Sequence, residues 1–118
     1  MNSPLFLAHG SPMLALEDNA YGRFLDQLGT QLHPQAVVVF TAHWESEVPV
    51  VTWTDGEYET IYDFYGFPDE LYQVKYPAKG SATVAQRVLE RFQAAGIPAE
   101  KEEKRGLDHG SWVLLSRL

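Results

Sequence analysis

Apolar residues fall along this chain in two patterns, short unbroken runs and helical stripes. The densest run opens the segment Ala36 to Trp44, AVVVFTAHW. Rich in β-branched valine and preceded by His33-Pro34, it reads as a strand buried on both faces that ends at His43. A second run, Pro4 to Ala8, ends directly in His9 and the turn Gly10-Ser11-Pro12. Between the two, Tyr21, Phe24, Leu25 and Leu28 recur at helical spacing, with Asp18 or Asn19 as the cap and Gly29 as the stop. Strand, helix and strand over residues 4–41 predict a βαβ unit with parallel strands. Both imidazoles then reach one crevice outside the carboxyl ends of the strands, where open α/β sheets bind ligands.

The rest of the chain alternates in the same way. Val48 to Trp53 predicts a strand that Pro49 moves toward a sheet edge. Residues 55–80 form an aromatic stretch containing Tyr62-Asp63-Phe64, Gly66-Phe67-Pro68, Leu71-Tyr72 and Tyr76-Pro77. Its rings either line a pocket or cover a sheet face. Ser81 caps a helix from Ala82 to Ala95 with the stripe Val84, Ala85, Val88, Leu89 and Phe92, and Gly96 stops it. Ile97 to Glu100 predicts a short strand, and Lys101 to Lys104 a solvated surface. Arg105 to Trp112, RGLDHGSW, reads as a tight loop presenting His109, with Asp108 placed to orient that imidazole or raise its pKa; a plain turn fits equally. Trp112 to Leu118 opens a further apolar element. The expected class is α/β, a βαβ-based, mostly parallel sheet with flanking helices.

Composition narrows the chemistry. With 118 residues, 45% of them apolar and 21% charged, the chain is a globular domain or part of one rather than a disordered segment. A net charge of −7 argues against nucleic acid and anionic membranes as partners, since either needs a basic face. There is no cysteine, so any metal must take nitrogen and oxygen ligands. Without a signal-like N-terminus or a long apolar run, the expectation is a soluble, cytoplasmic protein. Either histidine alone is more often a hydrogen-bonded loop residue than a ligand. Two in equivalent places make half of a zinc or non-haem iron site.

Five ordered motifs, His9-Gly10-Ser11-Pro12, Ala42-His43-Trp44, Asp63 to Pro68, Tyr76 to Gly80 and Gly106 to Trp112, carry a resemblance that runs from about Pro4 to about Leu115. The sequence resembles the class III extradiol ring-cleavage dioxygenases of the 4,5-DOPA extradiol dioxygenase type. The resemblance implies that His9 and His43 are metal ligands and that His109 is a catalytic histidine facing the substrate. Asp108, Phe67 and Tyr62 are the matching candidates for substrate contact. It further implies Fe(II) for catalysis, with Zn(II) able to occupy the same site, and a small aromatic diol and O₂ as substrates. Members of that family are about twice this length, so residues 1–118 are expected to form the N-terminal portion of one catalytic domain. The remaining ligands then lie outside the chain; His33 sits at the wrong end of its strand to replace them. A fragment of this kind is expected to be weakly active or inactive, and to self-associate or pair with the absent half.

Two other readings compete. A strand followed by His-Gly-Ser also opens small tetrapyrrole metal chelatases, although Trp44, the Gly-Phe-Pro loop and Asp108 to Trp112 fit them poorly. The other is an inert structural fragment.

Overall fold

The computed structural model describes residues 4–118. Its elements in order are a 3₁₀ turn at Pro12–Ala15, helix α1 at Ala20–Thr30, strand β1 at Val50–Thr52, a second 3₁₀ turn at Asp69–Gln73, helix α2 at Ala82–Ala94, strand β2 at Glu100–Glu102 and helix α3 at His109–Arg117. The class is mixed α/β, as expected.

Both expected helices form on their caps. Asn19 rather than Asp18 caps α1, accepting the Gly22 N–H at 2.8 Å, while Asp18 pairs with Arg23 in solvent. Gly29 does not stop this helix. A Cβ there would stand 2.1 Å from the Leu118 carbonyl oxygen, so the glycine lets α1 approach the end of α3. Ser81 caps α2 through the Val84 N–H, and Gly96, at a φ of 72°, turns the chain out of it.

The parallel pairing lies further along the chain than the sequence pattern suggested. Strand β1, helix α2 and strand β2 follow one another, with Val50 beside Glu100, Val51 beside Lys101 and Thr52 beside Glu102 in a parallel two-stranded sheet. The second strand falls in the charged run that reads as solvated surface. Its side chains carry no apolar signal, and what holds it is backbone pairing, with Lys101 Nζ 4.5 Å from the centre of the Trp53 ring. Residues 4–8 and 36–40, by contrast, are in no described strand, so the βαβ unit expected over 4–41 does not form. Neither segment pairs with a strand among the described residues. Most of their apolar side chains face solvent instead, Phe6 and Phe40 most completely, while Leu7 packs against the core.

The core sits between α3, α1 and the two 3₁₀ turns, where Leu14, Leu25, Leu71, Trp112 and Val113 are buried. Trp112 is fully buried and its indole N–H donates to the Ile61 carbonyl at 2.8 Å. The aromatic stretch therefore supplies core. Leu71 is fully buried, Tyr62, Phe64 and Phe67 pack against the cluster, and the Tyr62 hydroxyl donates to the Val74 carbonyl. Residues 59–61 also bond residue 107, through Leu107 N–H to Glu59 and Ile61 N–H to Leu107, each at 2.8 Å. A Cβ on Gly106 would sit 2.2 Å from the Glu59 carbonyl oxygen, so only glycine permits that approach. No helix of the described residues is long and apolar enough to cross a membrane.

Candidate functional site

Three imidazoles from distant parts of the chain meet at the start of α3. His9 leads into Gly10, whose φ of 60° turns the backbone, and the Tyr21 hydroxyl ties down the preceding Ala8 carbonyl at 2.6 Å. His43 follows Thr41, whose hydroxyl accepts the His43 N–H at 3.2 Å and donates to Asp108 Oδ1 at 2.8 Å. His109 is the first residue of α3. The segment expected to be a loop is a helix start because Asp108 caps it, taking the Ser111 N–H.

Close packing sets the histidines against one another. His9 Nε2 and His43 Nε2 are 2.9 Å apart, and the ring centres of His43 and His109 are 4.1 Å apart. One nitrogen from each of the three lies within 4.8 Å of the others. Exposure grades across the cluster, with His43 exposed, His9 half-buried and His109 buried. Gly110 makes the approach possible, since a Cβ there would stand 2.7 Å from His43 Cδ2 and 2.8 Å from the Thr41 hydroxyl.

Two carboxylates support this arrangement. Asp108 is 1% exposed; Oδ1 takes Thr41 and Ser111, and Oδ2 takes an Arg105 guanidinium N–H at 3.2 Å. Arg105 also lies 4.8 Å over the Trp44 ring, next to His43. Asp63 Oδ1 accepts the backbone N–H of His109 at 2.9 Å and stands 2.9 Å from His109 Nδ1. Burial pushes the Asp63 carboxyl up, but the His109 backbone and ring outweigh it and hold the pKa below the usual range.

The donor set suits a divalent transition metal. It is all imidazole, and a neutral ring is the form that coordinates. Burial, helped by the neighbouring His43 and His109, pushes the His9 pKa down and favours that form. His9 Nδ1 is buried without a hydrogen-bond partner, an uncompensated cost of the kind found where function holds a residue in place.

The sequence-nominated residues are distributed unevenly around this cluster. His9, His43 and His109 come together, and His33 does not join them. Asp108 lies directly beneath them with both oxygens engaged. Phe67 stacks edge-on against Phe64, with ring centres 5.3 Å apart, and Phe64 in turn meets the His109 ring at 5.7 Å. Tyr62 packs on Trp112 with its hydroxyl already bonded. Sequence reasoning missed Thr41, Asp63, Phe64 and Gly110 as parts of the site. An acid set inside an aromatic run, as Asp63 is, was the available signal.

An α/β chain that gathers three imidazoles and no thiolate defines a candidate transition-metal domain. Residues 4–118 match the family described as the catalytic LigB subunit of aromatic ring-opening dioxygenase, and the chain belongs to that family. It is similar to a 4,5-DOPA dioxygenase extradiol of Escherichia coli (strain K12), 47% identical over 115 residues, and to one of Beta vulgaris, 42% identical over 115 residues. These alignments cover 97% and 93% of this chain and 42% of each relative. A dioxygenase of Hapsidospora irregularis, named tasH, is 32% identical over 91% of the chain and 37% of its own length. The chain thus spans about two fifths of the relatives it matches.

Proposed function

We propose that this chain contributes His9, His43 and His109 to a metal-dependent extradiol dioxygenase acting on a catechol. The observation that supports this most directly is the convergence of three imidazoles in a member of a ring-opening dioxygenase family. The names of the E. coli and beet relatives point to a dihydroxyphenyl substrate. In this reading His9 and His43 hold the ion through ring nitrogens, and His109 faces the substrate. Ferrous iron at such a site makes a catechol hydroxyl more acidic and supplies the redox chemistry that O₂ requires.

The side chains around it divide the remaining work. His109 takes the proton that the catechol hydroxyl gives up and returns it later, a role that suits a buried imidazole fixed beside a carboxylate. Phe64, edge-on to His109, and Phe67 behind it form the aromatic wall against which a flat ring packs. Asp108 holds Thr41, and through it the turn that carries His43. Tyr62 supports the wall from the core side.

Metal analysis and O₂ uptake test the reading together. In a parent of the relatives' length, anaerobic loading with Fe(II) should leave a retained ion that His9→Ala or His43→Ala loses. His109→Ala should keep it and lose O₂ consumption with a catechol. Metal retained in the first two variants would overturn the ligand assignment. An iron-loaded parent of the relatives' length that neither binds a catechol nor consumes O₂ with it overturns the activity, whereas weak or absent turnover by residues 1–118 alone is the expected result.

A further inference from the structure

The environment of the His109 ring is asymmetric. Its Nδ1 is buried, has no aligned hydrogen-bond partner and lies 2.9 Å from Asp63 Oδ1. A ring nitrogen shut off from water costs about 1–3 kcal/mol if left unpaired, so the carboxylate oxygen beside it is the acceptor it has to use. The contact is short but not aligned as a hydrogen bond, and catalytic contacts of this kind commonly tighten in the working complex. The carboxylate is itself held in place. Its same oxygen accepts the His109 backbone N–H at 2.9 Å, which registers it to the first turn of α3 independently of the ring.

We infer that Asp63 is the positioning residue for His109, holding the proton on Nδ1 so that Nε2 keeps the free lone pair. The inference deepens the proton-handling role given to His109 above and rests on that reading for its consequence in turnover. A carboxylate acceptor at one ring nitrogen selects the tautomer and the ring plane together. Without it, both nitrogens compete for the proton, and a part of the population presents an N–H where a lone pair is required. The Asp63 carboxylate stays ionised through neutral pH and so remains an acceptor. Nothing else about the aromatic stretch requires an acid here. Asp63 stands between Tyr62 and Phe64, whose rings pack against Trp112, and its carboxylate meets the first residue of the same helix.

The tautomer can be read directly from the nitrogen shifts of the His109 ring in ¹⁵N-labelled, metal-free chain, at a pH above the imidazole range. The wild-type chain should show the proton on Nδ1. Asp63→Asn, which keeps an acceptor oxygen, should show the same. Asp63→Ala should move the proton largely to Nε2 and, in a parent of the relatives' length, lower kcat roughly ten- to a hundredfold with KM little changed, most of which Asp63→Asn restores. A wild-type ring protonated on Nε2, or an unchanged tautomer in folded Asp63→Ala, would overturn the inference. Should Asp63→Ala fail to fold, the wild-type and Asp63→Asn spectra still decide, because Nε2 protonation in either one counts against it. The spectra need neither metal nor catechol, so a failure of the ring-cleavage reading and a failure of this one are told apart.

Discussion

Thr41 donates its hydroxyl to Asp108 across 2.8 Å, and this bond joins the segment carrying His43 to the cap of the helix carrying His109. The same hydroxyl receives the His43 N–H, so one small side chain sets the spacing of two imidazoles. The segment before it, residues 36–40, has no strand partner to do so.

Thr41→Val, nearly isosteric, should therefore loosen His43 more than it unfolds the protein. Stability should fall by about 1–2 kcal/mol, because Asp108 retains Ser111 and Arg105. Metal affinity should fall roughly tenfold or more. Urea unfolding of the metal-free chain and a metal titration check the two numbers separately; equal affinity in the variant would remove Thr41 from the site.

Trp112 lies at the opposite extreme, in the core. Trp112→Phe opens a cavity and strands the Ile61 carbonyl, which should cost about 2–4 kcal/mol in denaturant unfolding. A cost below about 1 kcal/mol would mean that the aromatic stretch does not depend on this anchor.

Acid should weaken the metal-free fold in two separate windows. The His9 pKa is lowered, so the unfolded chain binds the proton first and stability falls as pH drops through the ordinary imidazole value of 6.5. The Asp63 pKa is lowered as well. Its contribution is complete above the ordinary carboxyl value of 3.8 and is lost as pH falls below that, through the folded-state pKa. In unfolding measured across this range, His9→Gln should flatten the upper limb alone and Asp63→Asn the lower limb alone.

The unpaired segments should make the chain sticky. Val37, Val38 and Phe40 are 57%, 52% and 84% exposed, and Phe6 is fully exposed. Bare apolar backbone of this type recruits a neighbour. Sedimentation velocity should show association that grows with concentration and recedes in the double variant Val38→Lys, Phe40→Lys. A monomer at every concentration would show that these residues need no cover.

How much of this was legible in the sequence depended on the kind of signal. The helices α1 and α2 were, because a cap and a stripe repeat one another locally, although Gly29 proved to be a packing position rather than the stop of α1. The meeting of His9 and His43 was also legible, although its basis was different, since the two segments end at one place without pairing as strands. Strand β2 was legible only in part: a strand was expected at Ile97 to Glu100 and forms at Glu100–Glu102, because those residues are held by backbone bonds to β1 and carry no pattern of their own. The α3 start was hidden by Gly106 and Gly110, which suggested a loop; Asp108 followed three residues on by Ser111 was the capping signal to weigh against them. The core role of Leu71 and Trp112 and the part played by Asp63 arise only from packing between distant segments, which no local window contains.

That distance has a thermodynamic consequence. His9 and His43 are 34 residues apart. No short stretch of unfolded polypeptide can offer these nitrogens together, so an ion that engages them selects the folded chain almost alone. Its binding energy then becomes folding energy, rising with free metal as RT ln(1 + [L]/Kd). With the ion of the proposed function bound, chelation should therefore lower the unfolding temperature.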